Sequence, residues 1–207
     1  MTPAWYLVFI LVFIWSGLHP KDFFTWLLEV APAVIAFVLL LATRHRFRFT
    51  PLCYGLILLH SVILMIGGHY TYAEVPLFDW LRDTLGLARN NYDKLGHFTQ
   101  GFVPALVSRE ILIRNRVVNG RIWTNFVVVA ICLAISALYE LIEWGVAVAS
   151  GGSADAFLGL QGDVWDTQSD MAWALTGAVG ALLLLARVHD RQLDKTAAVS
   201  GGRSPAG

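Results

Sequence analysis

Long apolar runs broken by short polar punctuation dominate the chain, and six of them have the length and freedom from charge expected of membrane helices. They cover about Pro3 to Leu18, Phe23 to Ala42, Pro51 to Tyr70, Tyr92 to Val107, Trp123 to Ala149 and Asp163 to Val188. The first is short and stops at His19-Pro20-Lys21-Asp22. It has no basic stretch before it and no small-x-small cleavage signal after it, so it is expected to be a retained span, not a removable signal peptide. A mixed connector, Thr71 to Asn91, follows the third run, and its portion from Val75 to Leu87 reads as a short amphipathic helix at the membrane interface. The pattern predicts an all-α integral membrane bundle of about six transmembrane helices, one domain over residues 1–195. The Ala/Ser/Gly-rich residues 196–207 are expected to form a disordered cytoplasmic tail.

Composition supports the membrane reading: 57% of residues are hydrophobic and 14% charged, where a soluble domain carries about 25% charged residues. The formal net charge of zero hides an asymmetry. Eleven of the fifteen Lys and Arg fall in the connectors after the second and fourth runs or from the end of the sixth onward, whereas only three of the fifteen acids do. Basic connectors stay on the cytoplasmic side, so both termini are expected there. The lipid bilayer is the expected partner, nucleic acid is not, and nothing in the pattern sets an oligomeric state. Cys53 and Cys132 lie in separate apolar runs without CxxC or Cys/His spacing, which argues for two buried hydrophobes over a disulfide or thiolate metal site. The tryptophans at run ends, from Trp5 and Trp15 to Trp165, are expected as interfacial anchors.

This topology brings the unusual polar residues to one depth on the outer side. His69 ends the third run, Asp93 and His97 begin the fourth, Glu140 and Glu143 lie late in the fifth, and Asp163, Asp166 and Asp170 begin the sixth. Spacings of three, four and seven residues put each set on one helical face. Carboxylates crowded with few basic neighbours cannot all stay ionised unless a cation or protons join them. An N/O donor set without sulfur suits Zn, Mn or Fe, and an oxygen-only subset suits Mg. Asp93, His97, Glu140, Asp166 and Asp170 are the expected ligands of a divalent metal, with His69 next. Glu143 is the expected catalytic base, and Asp163, Gln168, Tyr139 and Tyr92 are expected to line the cleft.

Plainer roles compete. Asp93 and Asp163 could cap helix N-termini, and Asp166 could serve the same first turn. Asp170 lies too deep for a cap, and Glu140 and Glu143 lie near a helix C-terminus, where the dipole disfavours them. Membrane carboxylates usually have a function. His60 reads as buried and neutral, and His19, His45 and His189 as solvated connector residues.

The segments GGHYTY (Gly67 to Tyr72), YDKLGHFTQGFVP (Tyr92 to Pro104), YELIEW (Tyr139 to Trp144) and GDVWDTQSDM (Gly162 to Met171) resemble the YjdF-like family of bacterial inner-membrane proteins. The resemblance spans nearly the whole chain except its last dozen residues. It implies a multi-pass inner-membrane protein and brings no activity with it. More distantly, Asp93-Lys94-x-x-His97-Phe98, a later Glu140 or Glu143, and Asp166 or Asp170 before a Gly-rich helix are similar to VanZ-like proteins. The leading expectation is a metal-dependent hydrolase whose site faces the periplasm or outer leaflet and acts on a lipid or envelope precursor. The alternatives are a non-catalytic membrane factor held by a structural metal or carboxylate–His network, and a proton- or cation-coupled transporter.

Overall fold

The computed structural model describes residues 1–150 and 161–201. Among the described residues the main elements are seven α-helices: α1 (Pro3–Gly17), α2 (Phe23–Thr43), α3 (Pro51–Tyr70), α4 (Pro76–Leu85), α5 (Tyr92–Arg114), α6 (Arg121–Ser150) and α7 (Asp166–Gly201), with a 3-10 turn at Tyr72–Glu74. Local chemistry sets several starts. Thr2 and Thr50 cap α1 and α3, each followed by a proline whose missing N–H costs nothing at that position. Asp22 caps α2 by accepting from the Thr25 N–H at 2.6 Å, and that bond holds its carboxyl below the ordinary range. α4 lies within the stretch expected to be an interfacial helix. It ends at Gly86 in the left-handed conformation and exposes Leu77, Trp80 and Leu85.

Among the described residues, four helices, α2, α3, α6 and α7, are long and apolar enough to cross a membrane. The six expected runs all fold as helices, but two differ from the spanning type. α1 has 15 residues, about 22 Å at ~1.5 Å per residue against a hydrocarbon core of about 30 Å. α5 has the length but carries Asp93, Lys94, His97, Arg109 and Glu110. It takes the centre of the bundle, packed on α3, α6 and α7, so its polar side chains meet protein.

The contact of α5 with α7 is the most extensive, and small residues permit it. A Cβ on Gly101 would overlap the Ala174 carbonyl, and one on Gly177 the Phe98 carbonyl. Ala174, Ala178 and Ala181 are fully buried on the same seam. Such close approach is how membrane helices gain packing without a hydrophobic drive from water. The two helices run parallel, so their N-termini lie side by side. α7 continues to Gly201, so it overlaps the start of the stretch expected to be a tail; residues 202–207 lie outside the described residues.

Two expectations about the framework need correction. Trp5 is no interfacial anchor: it is buried, stacks on Phe9, and donates its indole N–H to the Tyr54 carbonyl at 2.8 Å. His189 is not solvated but fully buried. It continues a face of α7 that begins at Asp170 and runs through Ala174, Ala178, Ala181 and Leu185, at steps of three and four.

Candidate functional site

Because α5 and α7 start together, their first-turn acids Asp93 and Asp166 share the positive end of two helix dipoles. One turn further in, His97 and Asp170 face each other across the seam. His97 Nε2 lies 3.4 Å from Asp93 Oδ1 and 4.0 Å from Asp170 Oδ2. All three residues are buried, and one ligand atom from each lies within 4.8 Å of the others. Two donors on a tetrahedral ion with bonds of ~2.0 Å sit about 3.3 Å apart, so the Asp93–His97 spacing is that of neighbouring ligands.

The other imidazole nitrogen, Nδ1, is 3.1 Å from Gln100 Oε1. With the proton on Nδ1 that bond is donated by His97, and the Nε2 lone pair points toward the two aspartates. A second partner that fixes the tautomer in this way is the usual support of a metal-binding histidine. Asp170 Oδ1 and Glu140 Oε1 are buried with no hydrogen-bond partner. Buried polar atoms are nearly always paired, so both oxygens call for a bound group or a proton.

A cationic rim closes the side next to the N-termini of the two helices. Arg89, buried in the connector before α5, pairs with Asp166 and lies 3.4 Å from both Asp93 and Asp163. Burial would lower the Arg89 pKa, but the hydrogen bond and charge of Asp166 outweigh it and leave it raised. Lys94 donates to Ser169 Oγ at 2.6 Å. Asn90 and Gln161 exchange two bonds, the Asn90 N–H donating at 3.0 Å and the Gln161 side-chain amide at 2.9 Å. The acids therefore have more basic company than expected, and Asp166 is committed to Arg89.

α6 presents Glu140, whose Oε1 is 3.8 Å from His97 Nδ1, and half-buried Glu143. Tyr139 packs edge-on to His97 and donates its hydroxyl to Glu29 Oε2 at 3.2 Å, tying α6 to α2. Asp93, His97, Tyr139 and Glu143 line one end of a cavity of about 480 Å³, together with Glu29, Tyr72 and Gln100.

Not every expected residue arrives. His69 turns to α1, its Nδ1 3.0 Å from the Ser16 carbonyl and its ring against Trp15. Tyr92 is buried and donates to the Ile63 carbonyl at 2.7 Å. Gln168 is exposed. Asp163 accepts from the Trp165 N–H at 3.0 Å besides its contact with Arg89, so it is turn former and rim residue at once. Arg89, Glu29 and Gln100 were absent from the expected set. Glu29 had a usable signal, a lone acid within an apolar run.

A second buried cluster lies at the other end of α5 and α7. Glu110 accepts from the Thr50 N–H at 3.0 Å, the Thr50 hydroxyl at 2.8 Å and Arg114 at 2.7 Å. His189 bridges Glu110 and Arg109, each at 3.1 Å. Cys53 Sγ lies 3.7 Å from His189, so Cys53, Glu110 and His189 also fall within ligand reach of one another. Arg109 can only donate, which makes His189 Nδ1 an acceptor and Nε2–H a donor to Glu110. Both its nitrogens and both Glu110 oxygens are thus satisfied, and the cluster works as a clasp of α3, α5 and α7.

A family described as a predicted membrane protein family, DUF2238, matches residues 1–191. The chain is 56% identical over 191 residues to the inner membrane protein YjdF of Escherichia coli (strain K12), covering 92% of this chain and 91% of that relative. No solved structure matches.

Proposed function

The chain belongs to the DUF2238 family of predicted membrane proteins, and from that premise we propose that it is a six-span inner-membrane protein that binds a divalent metal at Asp93, His97 and Asp170 for hydrolysis of a lipid or envelope precursor. Both termini face the cytoplasm and the triad faces the periplasm or outer leaflet. The observation that carries this reading is the His97 imidazole held by Gln100 on one side, with Nε2 turned to two buried aspartates on the other. One imidazole and two carboxylates suit Zn, Mn or Fe, and leave positions open for water and substrate.

Asp93, His97 and Asp170 would hold the ion, whose Lewis acidity would bring the pKa of a water toward neutrality. Glu143, on the wall of the cavity, would take a proton from the attacking water as general base while the water oxygen adds to the ester carbonyl or phosphorus. Collapse expels the alcohol, which recovers the proton from Glu143. Glu140 stands next to the ligands and either completes the set or orients it. Asp166, engaged by Arg89, serves the rim, and His69 drops from the ligand set because α1 holds it.

Reconstituted protein given envelope lipid extract should release hydrolysis product, stop with EDTA, and recover with the cognate metal. Turnover that survives EDTA, or survives Asp170→Asn combined with His97→Gln, contradicts the hydrolase. One observation favours a second reading, a metal-free factor: Arg89 already supplies a cation to Asp93, Asp163 and Asp166. That reading expects a folded protein with no metal and no turnover.

A further inference from the structure

The cavity that opens beside the triad is far longer than a catalytic water needs, and its chemistry changes along its length. On α2 its walls run from Glu29 to Thr43, about 21 Å along the axis at ~1.5 Å per residue. α5 contributes from Asp93 to Ile111 in the same direction, and α6 from Glu143 back to Ile135. The acids, His97 and the tyrosines all collect at one end, and the remaining walls are mostly aliphatic, with Ala33, Leu40, Ile57, Leu64 and Val103 among them. The volume of about 480 Å³ is that of a small-molecule site.

Three further observations describe how such a space arises. Pro32 of α2 and Pro104 of α5, the prolines inside the described helices beyond their first turns, both line it. A proline inside a helix removes one ladder hydrogen bond and is costly, so two on one cavity point to its shape being kept. Ala33, Ala36 and Gly96 keep the walls thin. The edge residues Leu39, Ile111 and Ile135 are exposed on the flank of the bundle, which opens the space sideways to the hydrocarbon.

Resting on the hydrolase reading, we propose that this groove takes the hydrocarbon chain of a single-chain lipid from the bilayer, with an uncharged or amine-bearing head placed at Glu29, Asp93, His97 and Glu143. The class of head follows from charge. Glu29, Asp93 and Glu143 line that end, with Glu140 and Asp170 directly behind, while Arg89 is already shared among three aspartates. Even beside one divalent ion, a phosphomonoester or diphosphate would add negative charge to a site of five carboxylates, whereas a glycerol ester or an amine would not. The scissile bond at the triad is then that of a carboxylic ester.

Photolabelling in nanodiscs tests this, with EDTA present throughout so that the outcome is independent of any metal. The probes are monopalmitoylglycerol with a diazirine within its chain and the matching palmitoyl lysophosphatidic acid. The glycerol probe should mark Ala36, Leu40 and Ile135, and unlabelled monopalmitoylglycerol should compete on the wild-type protein. Ala36→Trp should reduce that labelling at least about tenfold, since a filled groove forfeits the roughly 1.4 kcal/mol or more that this ratio represents. The phosphate-headed probe should label these sites less. Marks confined to outward residues such as Leu27, Ile35 and Val38, or no competition on the wild type, would overturn the groove. Equal or stronger marking of the groove by the phosphate probe would overturn the head. Groove labelling in a protein that proves metal-free would sink the hydrolase and leave the lipid site standing.

Discussion

Among single residues, Arg89 carries the largest structural duty around the triad. It is the guanidinium that Asp93, Asp163 and Asp166 share, and removing one partner of a buried ionic set leaves uncompensated charge. Arg89→Ala is expected to destabilise the detergent-solubilised protein by about 3 kcal/mol, read as a lower midpoint of thermal unfolding. Arg89→Lys should recover part of that, because a lysine keeps the charge but not the planar fork. At the other end, Glu110→Ala should cost about as much by stranding His189 and the Thr50 N–H, with metal content unchanged. The residues of the triad were legible in the sequence because helical spacing relates Asp93 to His97 and Asp166 to Asp170 within single segments. Arg89, Glu29 and Gln100 were not, because what makes them part of the site is proximity between segments, which local spacing does not encode. His189 was misread for a related reason. Its charged neighbours Arg187, Asp190 and Arg191 suggested solvent, while the alanine stripe leading to it at helical steps was the better guide.

At the scale of elements, the seam between α5 and α7 determines whether the site exists. Gly101 and Gly177 admit backbone against backbone, so a single methyl must push the helices apart. Gly101→Ala is expected to lower stability by about 2 kcal/mol or more, as overpacking does, and to lower metal occupancy because His97 and Asp170 sit on opposite helices. Gly55→Ala serves as the control. A Cβ there meets nothing, so the exchange should be neutral or stabilising by up to about 1 kcal/mol through helix propensity. Thermal melts of the two variants beside the wild type check both statements. The sequence showed every one of these helices, since apolar runs and polar breaks are strong signals. It did not show that α5 sits at the centre, because its mixed composition reads equally as a poor membrane span. Only its burial by α3, α6 and α7 explains how so polar a helix is accommodated.

For the whole molecule, the proposed orientation places the triad outside and the Glu110–His189 clasp toward the cytoplasm. Gln168→Cys should react with a membrane-impermeant maleimide in intact spheroplasts, while His45→Cys should react only after lysis. The native Cys53 and Cys132 are fully buried and should stay silent in both cases. The reverse pattern would invert the protein in the membrane and turn the triad to the cytoplasm. The same architecture joins two features into one account, a donor set beside the N-termini of α5 and α7 and a groove that leads from it along α2.

Metal content of the purified protein, read by elemental mass spectrometry, separates a metal-binding triad from a metal-free bundle. Wild type would be run beside Asp170→Asn, His97→Gln and Glu110→Gln, each checked for folding by circular dichroism. The proposed site predicts about one equivalent of a divalent metal in the wild type and in Glu110→Gln, and its loss in both triad variants, since a buried site that loses one of three ligands binds far more weakly. A folded wild type without metal, or metal that follows Glu110 and ignores Asp170, would contradict it.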